Sequence, residues 1–466
     1  MNENRMKLTF FDEYWIDFRP GTIRRWYKPE LINVVYGTGV YGGLVYDSER
    51  KKYRLFHETL IKMCEDGPRL LKMVESDDMI NWTTVTNDEG GDVLFDGDGG
   101  VHGSSVLYDP YDPDPNRRYK FCGMTRMAKP IQHPVNLAFS PDGIHWENRP
   151  DLVAHPHTSD AHNKLFYNPC SGEFNLLHRS AFVDRRVSLR SSKDLTNWTE
   201  PRVLLHPAGT YNKLFTGIQH YSMTVGWFDG LFYGFVWRYN TSLYDMDFSK
   251  MFGYMETELV YSYDGKEFLY TTMEPVVDRP NAPTPGWAGL SPTDMCESVD
   301  GKHYFLMCSG AMFVHGSEAT NQYYHDQLTE RGLKGGQVVF KIRKDGFCGL
   351  ESVGKGMVVT KNLDLLKDDL YFNLRADCGF ARFGIMDPSG EYLEGFGLND
   401  CIPFEFNEDV AVRPQWKEHK LEEILNRQIR IAVELNGAVL HSISATARPH
   451  ICQVQKSFSD PQGIFE

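Results

Sequence analysis

Acidic, basic and aromatic side chains recur at matching places along this 466-residue chain, and their kinds suit acid–base chemistry on a polyhydroxylated ligand. The carboxylate candidates are Asp160, Glu58, Asp294 and Glu297. Asp160 leads, because Ser159-Asp-Ala-His-Asn-Lys164 packs polar groups at the entrance of an otherwise apolar strand, Leu165-Phe166-Tyr167. Glu58 follows the run Tyr53-Arg-Leu-Phe56 and is expected to face the same space. Only one of Asp294 and Glu297 is expected to point inward, since a one-residue change of register exchanges the two faces of a strand. Ligand-binding candidates accompany them: Tyr41 and His57; His102 and Arg126; His162, Asn163, His178 and Arg179; Gln219, His220, Trp237 and Arg238. Carboxylates converging with arginine, histidine and tryptophan suit cleavage of a glycosidic bond. One carboxyl donates a proton to the leaving oxygen and another acts as nucleophile or base, with a separation of about 5 Å for retention and roughly 7–9 Å for inversion. Burial beside a like charge would raise the acid's pKa, and a nearby arginine would keep the anion ionised. Each residue alone has a plainer reading: an aspartate can pin its own turn, a strand-end histidine can bond backbone, and Trp237 can be core.

The elements that must position these groups announce themselves by repetition. Ser76-Asp-Asp-Met-Ile-Asn-Trp82 returns as Ser140-Pro-Asp-Gly-Ile-His-Trp146, Ser192-Lys-Asp-Leu-Thr-Asn-Trp198 and Ser262-Tyr-Asp-Gly-Lys-Glu-Phe268, with a degenerate copy at Lys344-Asp-Gly-Phe347. Each copy follows an apolar strand and sets an Asp or Gly turn before an aromatic, which is a hairpin signature. Recurrence roughly every 50 to 80 residues predicts an all-β fold, a five-bladed β-propeller with one such hairpin per blade. Blade one is expected from Val34 to about Val85. After Gly349 short strands and turn signals predict a C-terminal β-sandwich, with one brief helix at Leu421 to Asn426. The expected division is a propeller domain over 1–350, with an aromatic segment over 1–30 packed on it, and a sandwich over 351–466.

Composition narrows the function classes. A net charge of -14 disfavours nucleic acid and anionic membranes as partners, since both need a positive footprint. A small-molecule carbohydrate fits better, and self-association into a homo-oligomer is left open. No apolar run is long enough to span a bilayer and the first residues lack a signal-peptide core, so the expected compartment is the cytoplasm. Nine cysteines without C-x-x-C spacing argue for reduced thiols rather than a zinc site or a disulfide framework. Gly37-Thr-Gly39-Val-Tyr-Gly42 matches the dinucleotide fingerprint in letters but precedes a strand, so it reads as a blade entry. Asp96-Gly-Asp98-Gly lacks the ligand order of a calcium loop and reads as a turn. No metal and no cofactor is expected.

Taken together, Tyr41-Gly-Gly-Leu-Val-Tyr-Asp47, Asp112-Pro-Asp-Pro-Asn-Arg-Arg-Tyr119, Phe139-Ser-Pro-Asp-Gly-Ile-His-Trp146 and Gly395-Phe-Gly-Leu-Asn-Asp-Cys401 give the chain a family likeness. It resembles the five-bladed propeller glycoside hydrolases, the fructosidases of families 32 and 68 and the arabinofuranosidases and xylosidases of families 43, 62 and 117. The likeness is greatest to bacterial family-32-like proteins. The resemblance implies a furanoside-cleaving enzyme. It carries Asp160 over, through Ser159-Asp160-Ala161, as a transition-state stabiliser or base. The fructosidase nucleophile motif is replaced by Gly39-Val-Tyr-Gly-Gly43, and the Glu-Cys acid by Gln219-His220. Glu58 and Glu297 stand in by position alone. A glycoside phosphorylase, with phosphate held by arginine and histidine, and a non-catalytic sugar-binding propeller are the alternatives.

Overall fold

The computed structural model describes residues 5–60, 69–129, 132–179, 185–205, 218–241, 253–315, 326 and 330–450. The protein is all-β, a five-bladed propeller followed by a β-sandwich. Blade I holds Val40–Asp47, Lys52–Leu60, Arg69–Ser76 and Thr83–Thr84, and blade II holds Val101–Tyr108, Tyr119–Thr125, Val135–Ser140 and Glu147–His155. Blade III holds Lys164–Asn168, Glu173–Arg179, Val187–Ser192 and Arg202–Leu205. Blade IV is Ile218–Phe228, Leu231–Thr241, Gly253–Ser262 and Leu269–Pro275. All pairs within the blades are antiparallel, which is what short hairpin turns permit.

The repeated phrase is a side-chain-locked turn. In its first copy Ser76 Oγ accepts from the Asp78 and Met79 amides, Asp78 Oδ1 accepts from Ile80 and Asn81, and Trp82 Nε1 donates to the Met79 carbonyl. The copies at Ser140 and Ser192 repeat this set of bonds, and Ser262-Tyr-Asp264 repeats it without the tryptophan. Serine and aspartate thus take up amides that a tight turn leaves unpaired.

Blade V departs from the expected order. Its first three strands are Gly289–Glu297, His303–Ala311 and Gly336–Arg343, but its outer strand is Glu30–Tyr36, from the start of the chain. Blade I therefore begins at Val40, not at Val34. The fifth hairpin turn leads instead into Cys348–Thr360, which leaves the propeller for the sandwich, so position 350 falls inside a strand. Arg5–Thr9, Ile16–Phe18 and Ile23–Trp26, expected simply to pack on the propeller, hydrogen-bond as strands to the sandwich sheet. The spine of that sheet is Gln428–Pro449, which pairs with Phe380–Met386 before Gly437 and with Tyr371–Arg375 after it. Gly437, at φ 58, turns the strand between these partners in a conformation glycine adopts without strain. Leu421 to Asn426 gives only a short 3-10 turn over Leu421–Ile424.

The five inner strands are stitched around the axis by short polar side chains. Glu58 of blade I takes the Ser104 amide of blade II, and Ser105 donates to the Asn163 carbonyl of blade III. Ser222 of blade IV donates to the His162 carbonyl, Thr224 donates to the Thr293 carbonyl of blade V, and Asp294 accepts from the Leu44 amide to return to blade I. Apolar clusters fill the spaces between blades, such as Val106, Phe121 and Phe95 between I and II or Leu189, Val225 and Val260 between III and IV. Among the described cysteines none is paired, and five of the seven are buried.

Propeller and sandwich meet at a buried ion pair. Lys7 Nζ lies 2.9 Å from Asp345 Oδ1, which also accepts from the Tyr233 and Tyr304 hydroxyls, while Ser442 Oγ donates to Oδ2. Burial alone would raise the Asp345 pKa, but Lys7 and these hydroxyls bring it down to about 2. Its carboxylate therefore stabilises the fold above about pH 4, and that contribution is lost as pH falls toward 2. Asp345→Asn leaves the Lys7 ammonium buried without its counter-charge and is expected to cost about 3–5 kcal/mol. Denaturant unfolding should show that loss at pH 7 and a smaller difference from the native chain near pH 2.5. An unchanged midpoint at pH 7 would remove Lys7–Asp345 from this role.

Candidate active site

Because each inner strand runs outward from the same end of the axis, the starts of the inner strands, the ends of the second strands and the starts of the third strands share one mouth. Asp160 stands there on a loop built for it. Asn163 Nδ2 donates to the carbonyls of Gly103, Ser159 and Ala161, and the Asn163 amide donates to Gly103. Ser159 Oγ accepts from the Arg179 amide. Gly103 is at φ 66, and a Cβ there would sit 2.0 Å from the Ala161 carbonyl oxygen, so only glycine allows this approach of blade II to the loop. Asn163 is thus a positioning residue rather than a ligand contact.

Asp160 is the open carboxylate of the mouth, its side chain 61% exposed. His102 Nε2 lies 2.7 Å from Oδ1 and Arg179 Nη1 3.7 Å from Oδ2. Burial of the loop works to raise the Asp160 pKa, but the His102 hydrogen bond, then the charges of His102, Arg179 and Arg69, hold it at about 2. On the other side of the His102 ring, Arg69 Nη1 is 2.7 Å from Nδ1. That contact asks His102 to accept at Nδ1 and to donate from Nε2 to Asp160. Burial opposes an imidazolium here, yet the hydrogen bond to Asp160 and the neighbouring Glu58 carboxylate raise the His102 pKa above its ordinary value.

Behind this group lies an aromatic floor. Tyr41, His162, Trp237 and Tyr221 are nearly parallel, with ring centroids 5.6 to 6.1 Å apart and interplanar angles of 12 to 16°. Trp237 Nε1 donates to the Pro292 carbonyl and His162 Nε2 sits 3.2 Å from the Thr293 oxygen, which fixes both rings. Burial holds the His162 ring neutral, with its pKa lowered to about 3. Tyr41 is at φ 55, a left-handed backbone held by a close chain crossing at the entry of blade I. Arg69 lies over the Tyr41 ring at 5.5 Å and Arg179 over the Tyr221 ring at 4.3 Å. Arg185 packs over both Tyr221 and Tyr239, and donates to Gln219 Oε1 at 2.7 Å.

The other expected carboxylates do not join Asp160 as open groups. Glu58 is fully buried and accepts from the Ser104 amide, Ser104 Oγ and the Gly103 amide, with Arg69 and His102 within 3.8 Å. Burial would raise its pKa, but His102, Arg69 and Ser104 lower it, so it is a spent anion and not a proton donor. Asp294 is buried against Lys164 at 2.6 Å and bonds the Leu44 amide. Its pKa is raised by burial despite Lys164, yet every contact it makes is internal to the ring of strands. Glu297 is at the far end of its strand, ion-paired with Lys344 beside Asp345. It belongs to the sandwich side, because the strand runs from the mouth toward that face.

Several expected ligand contacts are also structural. His57 Nδ1 accepts from the Gly39 amide, anchoring the blade I entry. His178 stacks on His155 at 4.0 Å between blades II and III. His220 is buried beside Tyr270, on the face of blade IV turned toward blade III. Arg126 lies 3.9 Å from Asp98 on the rim of blade II, and Arg238 donates to the Met273 carbonyl. Two mouth residues, Arg69 and Arg185, were not anticipated from sequence. Arg69 begins a third strand ahead of Leu70 and Leu71, and Arg185 lies two residues before another, so a basic residue ahead of a strand was the only signal for them.

No family model matches the chain, and no curated protein matches it. Solved structures that it resembles include an endo-arabinase from Bacteroides thetaiotaomicron, at 11% identity and TM-score 0.37 over 63% of this chain and 96% of that one. A family GH32 β-fructofuranosidase from Bombyx mori gives 12% identity and TM-score 0.42 over 94% and 95% of the two chains. An exo-inulinase from Aspergillus awamori gives 9% and 0.41 over 91% and 97%. At such identities and TM-scores nothing is carried over from these structures to this chain.

His102 is the strongest single influence lowering the Asp160 pKa, so its removal makes a direct test. His102→Gln should let the Asp160 carboxyl titrate at higher pH, toward the ordinary carboxylate range. The Asp160 carboxyl 13C shift, followed between about pH 2.5 and 6, reads this out. An unmoved titration would assign the low pKa to the arginines instead.

Proposed function

We propose that the protein is a glycoside hydrolase whose site is the Asp160 mouth and whose substrate is a small glycoside, with a furanoside as the finer choice. The observation that carries the reading is Asp160 itself, an open carboxylate with its pKa held at about 2, standing beside the aromatic floor of Tyr41, Trp237 and Tyr221. Aromatic faces suit the apolar faces of sugar rings, and a fixed anion stabilises the positive charge that develops at an anomeric carbon. In the proposed step a water oxygen bonds to the anomeric carbon as the glycosidic C–O bond breaks. Asp160 stabilises the positive charge that develops at that carbon, while the water gives up a proton to solvent and the leaving oxygen takes one from solvent. The furanoside choice is supported by the hairpin resemblance to fructosidases and arabinofuranosidases and by Ser159-Asp160-Ala161, a loose echo of the fructosidases alone.

A second reading, sugar binding without turnover, is favoured by one specific observation. Of the four expected carboxylates, Asp160 is the one open to solvent at the mouth, where the two-carboxylate pattern needs a pair. Asp160→Asn separates the two. Under the hydrolase reading, release of reducing sugar from fructosides or arabinosides, followed by NMR, should fall by about 10³-fold or more while binding stays within a few-fold. Binding by the native chain without release from any member of the panel would leave the sugar-binding reading standing.

A further inference from the structure

The charges of the mouth do not balance. Arg69, Arg179 and Arg185 face Glu58 and Asp160, and both carboxylates are engaged: Glu58 with Arg69 and His102, Asp160 with His102 and Arg179. Arg185 has no carboxylate within ion-pair distance among the described residues, and its hydrogen-bond acceptor is the neutral Gln219 amide. Its buried Nε has no hydrogen-bond partner, and neither do the buried Nε and Nη2 of Arg179. Buried polar atoms of a folded protein are ordinarily paired, and unpaired donors on two adjoining guanidinium groups with no further anion beside them leave room for an acceptor. The two groups share the Tyr221 ring, Arg179 at 4.3 Å and Arg185 at 5.2 Å, so the two cations are neighbours. Burial and the Arg179 charge pull the Arg185 pKa below its usual value, the cost of holding two cations together without an anion between them.

We propose that Arg179 and Arg185 form an oxyanion subsite beside Asp160, which receives a carboxylate or phosphate group of the ligand. Planar guanidinium forks suit both groups, because each presents paired oxygens at the spacing of the N–H donors. Arg179 would bridge the ligand's anion and Asp160, so that the anion fixes the sugar relative to the reacting carboxylate. This deepens the hydrolase reading and rests on it only for taking the ligand to be a sugar.

The test is a binding measurement, so it does not depend on turnover. Galacturonate and glucuronate are compared with galactose and glucose, and inorganic phosphate is titrated separately, by calorimetry on the full chain. The acidic sugars or phosphate should bind at least about tenfold more tightly than the neutral sugars, as charge-assisted hydrogen bonds require. Arg185→Gln and Arg179→Gln should each abolish that advantage, Arg185→Lys should restore part of it, and Arg149→Gln on the outer surface should leave it intact. Phosphate that binds and is consumed as sugar is released would make the anion a free co-substrate. Preference for acidic sugars without such consumption would place it on the sugar. Equal binding of acidic and neutral sugars with no binding of phosphate, or a preference that survives both glutamine substitutions, would overturn the subsite.

Discussion

The structure depends on closing a ring. Five sheets can share an axis only if the last blade is completed by strand Glu30–Tyr36, laid along Gly336–Arg343 from the opposite end of the chain. Closure removes the open edge that blade V would otherwise present, and it brings the five inner-strand starts into one circle. Within that circle the backbones are too close for large side chains. Serine, threonine, one glutamate and one aspartate do the joining, each donating to or accepting from a neighbouring blade's main chain. Close approach therefore decides composition near the axis, and composition decides which polar groups remain free at the mouth.

Glu58 shows how this works on the chemistry. It is a carboxylate on a strand end, where a catalytic group could stand, yet the neighbouring blade supplies the Ser104 amide and hydroxyl and the Gly103 amide to it. Three donors, with Arg69 and His102 beyond them, keep it ionised inside the protein, where an unpaired carboxylate would be expelled or protonated. The negative charge so buried holds Arg69 and His102 in place, and His102 in turn holds Asp160. The open carboxylate is thus the outermost member of a chain of alternating charges that begins in a structural bond.

The propeller was legible because its signal is local. The Ser-x-Asp turn satisfies its own amides within three or four residues, so the phrase predicts the hairpin wherever it falls. The closing strand was not legible, since Val35 meets Gln337 across the whole propeller and no nearby residue specifies it. Asp160 stands where the polar run places it, because that run is itself the loop. Of Asp294 and Glu297 one does point inward, Asp294, but what pairs each was out of reach of the sequence: Lys164 sits 130 residues from one, and Lys344, at the sandwich face, pairs the other. Whether a carboxylate is open or spent is set by partners that only the fold brings together.

Net charge and local charge point in opposite directions here. A chain of net charge -14 repels an anion at long range, but at physiological salt that repulsion is screened beyond about 8 Å. Inside that distance the mouth presents Arg69, Arg179 and Arg185 against two carboxylates, and the partly buried setting strengthens each short-range interaction. The surface therefore does nothing to collect anionic ligands, and discrimination falls to the pocket. A ligand that lacks an anion leaves the vacant guanidinium donors unmet, while one that carries it in the wrong place meets Asp160 as a like charge. The position of the anion relative to the sugar ring, more than its presence, becomes what this site is able to read.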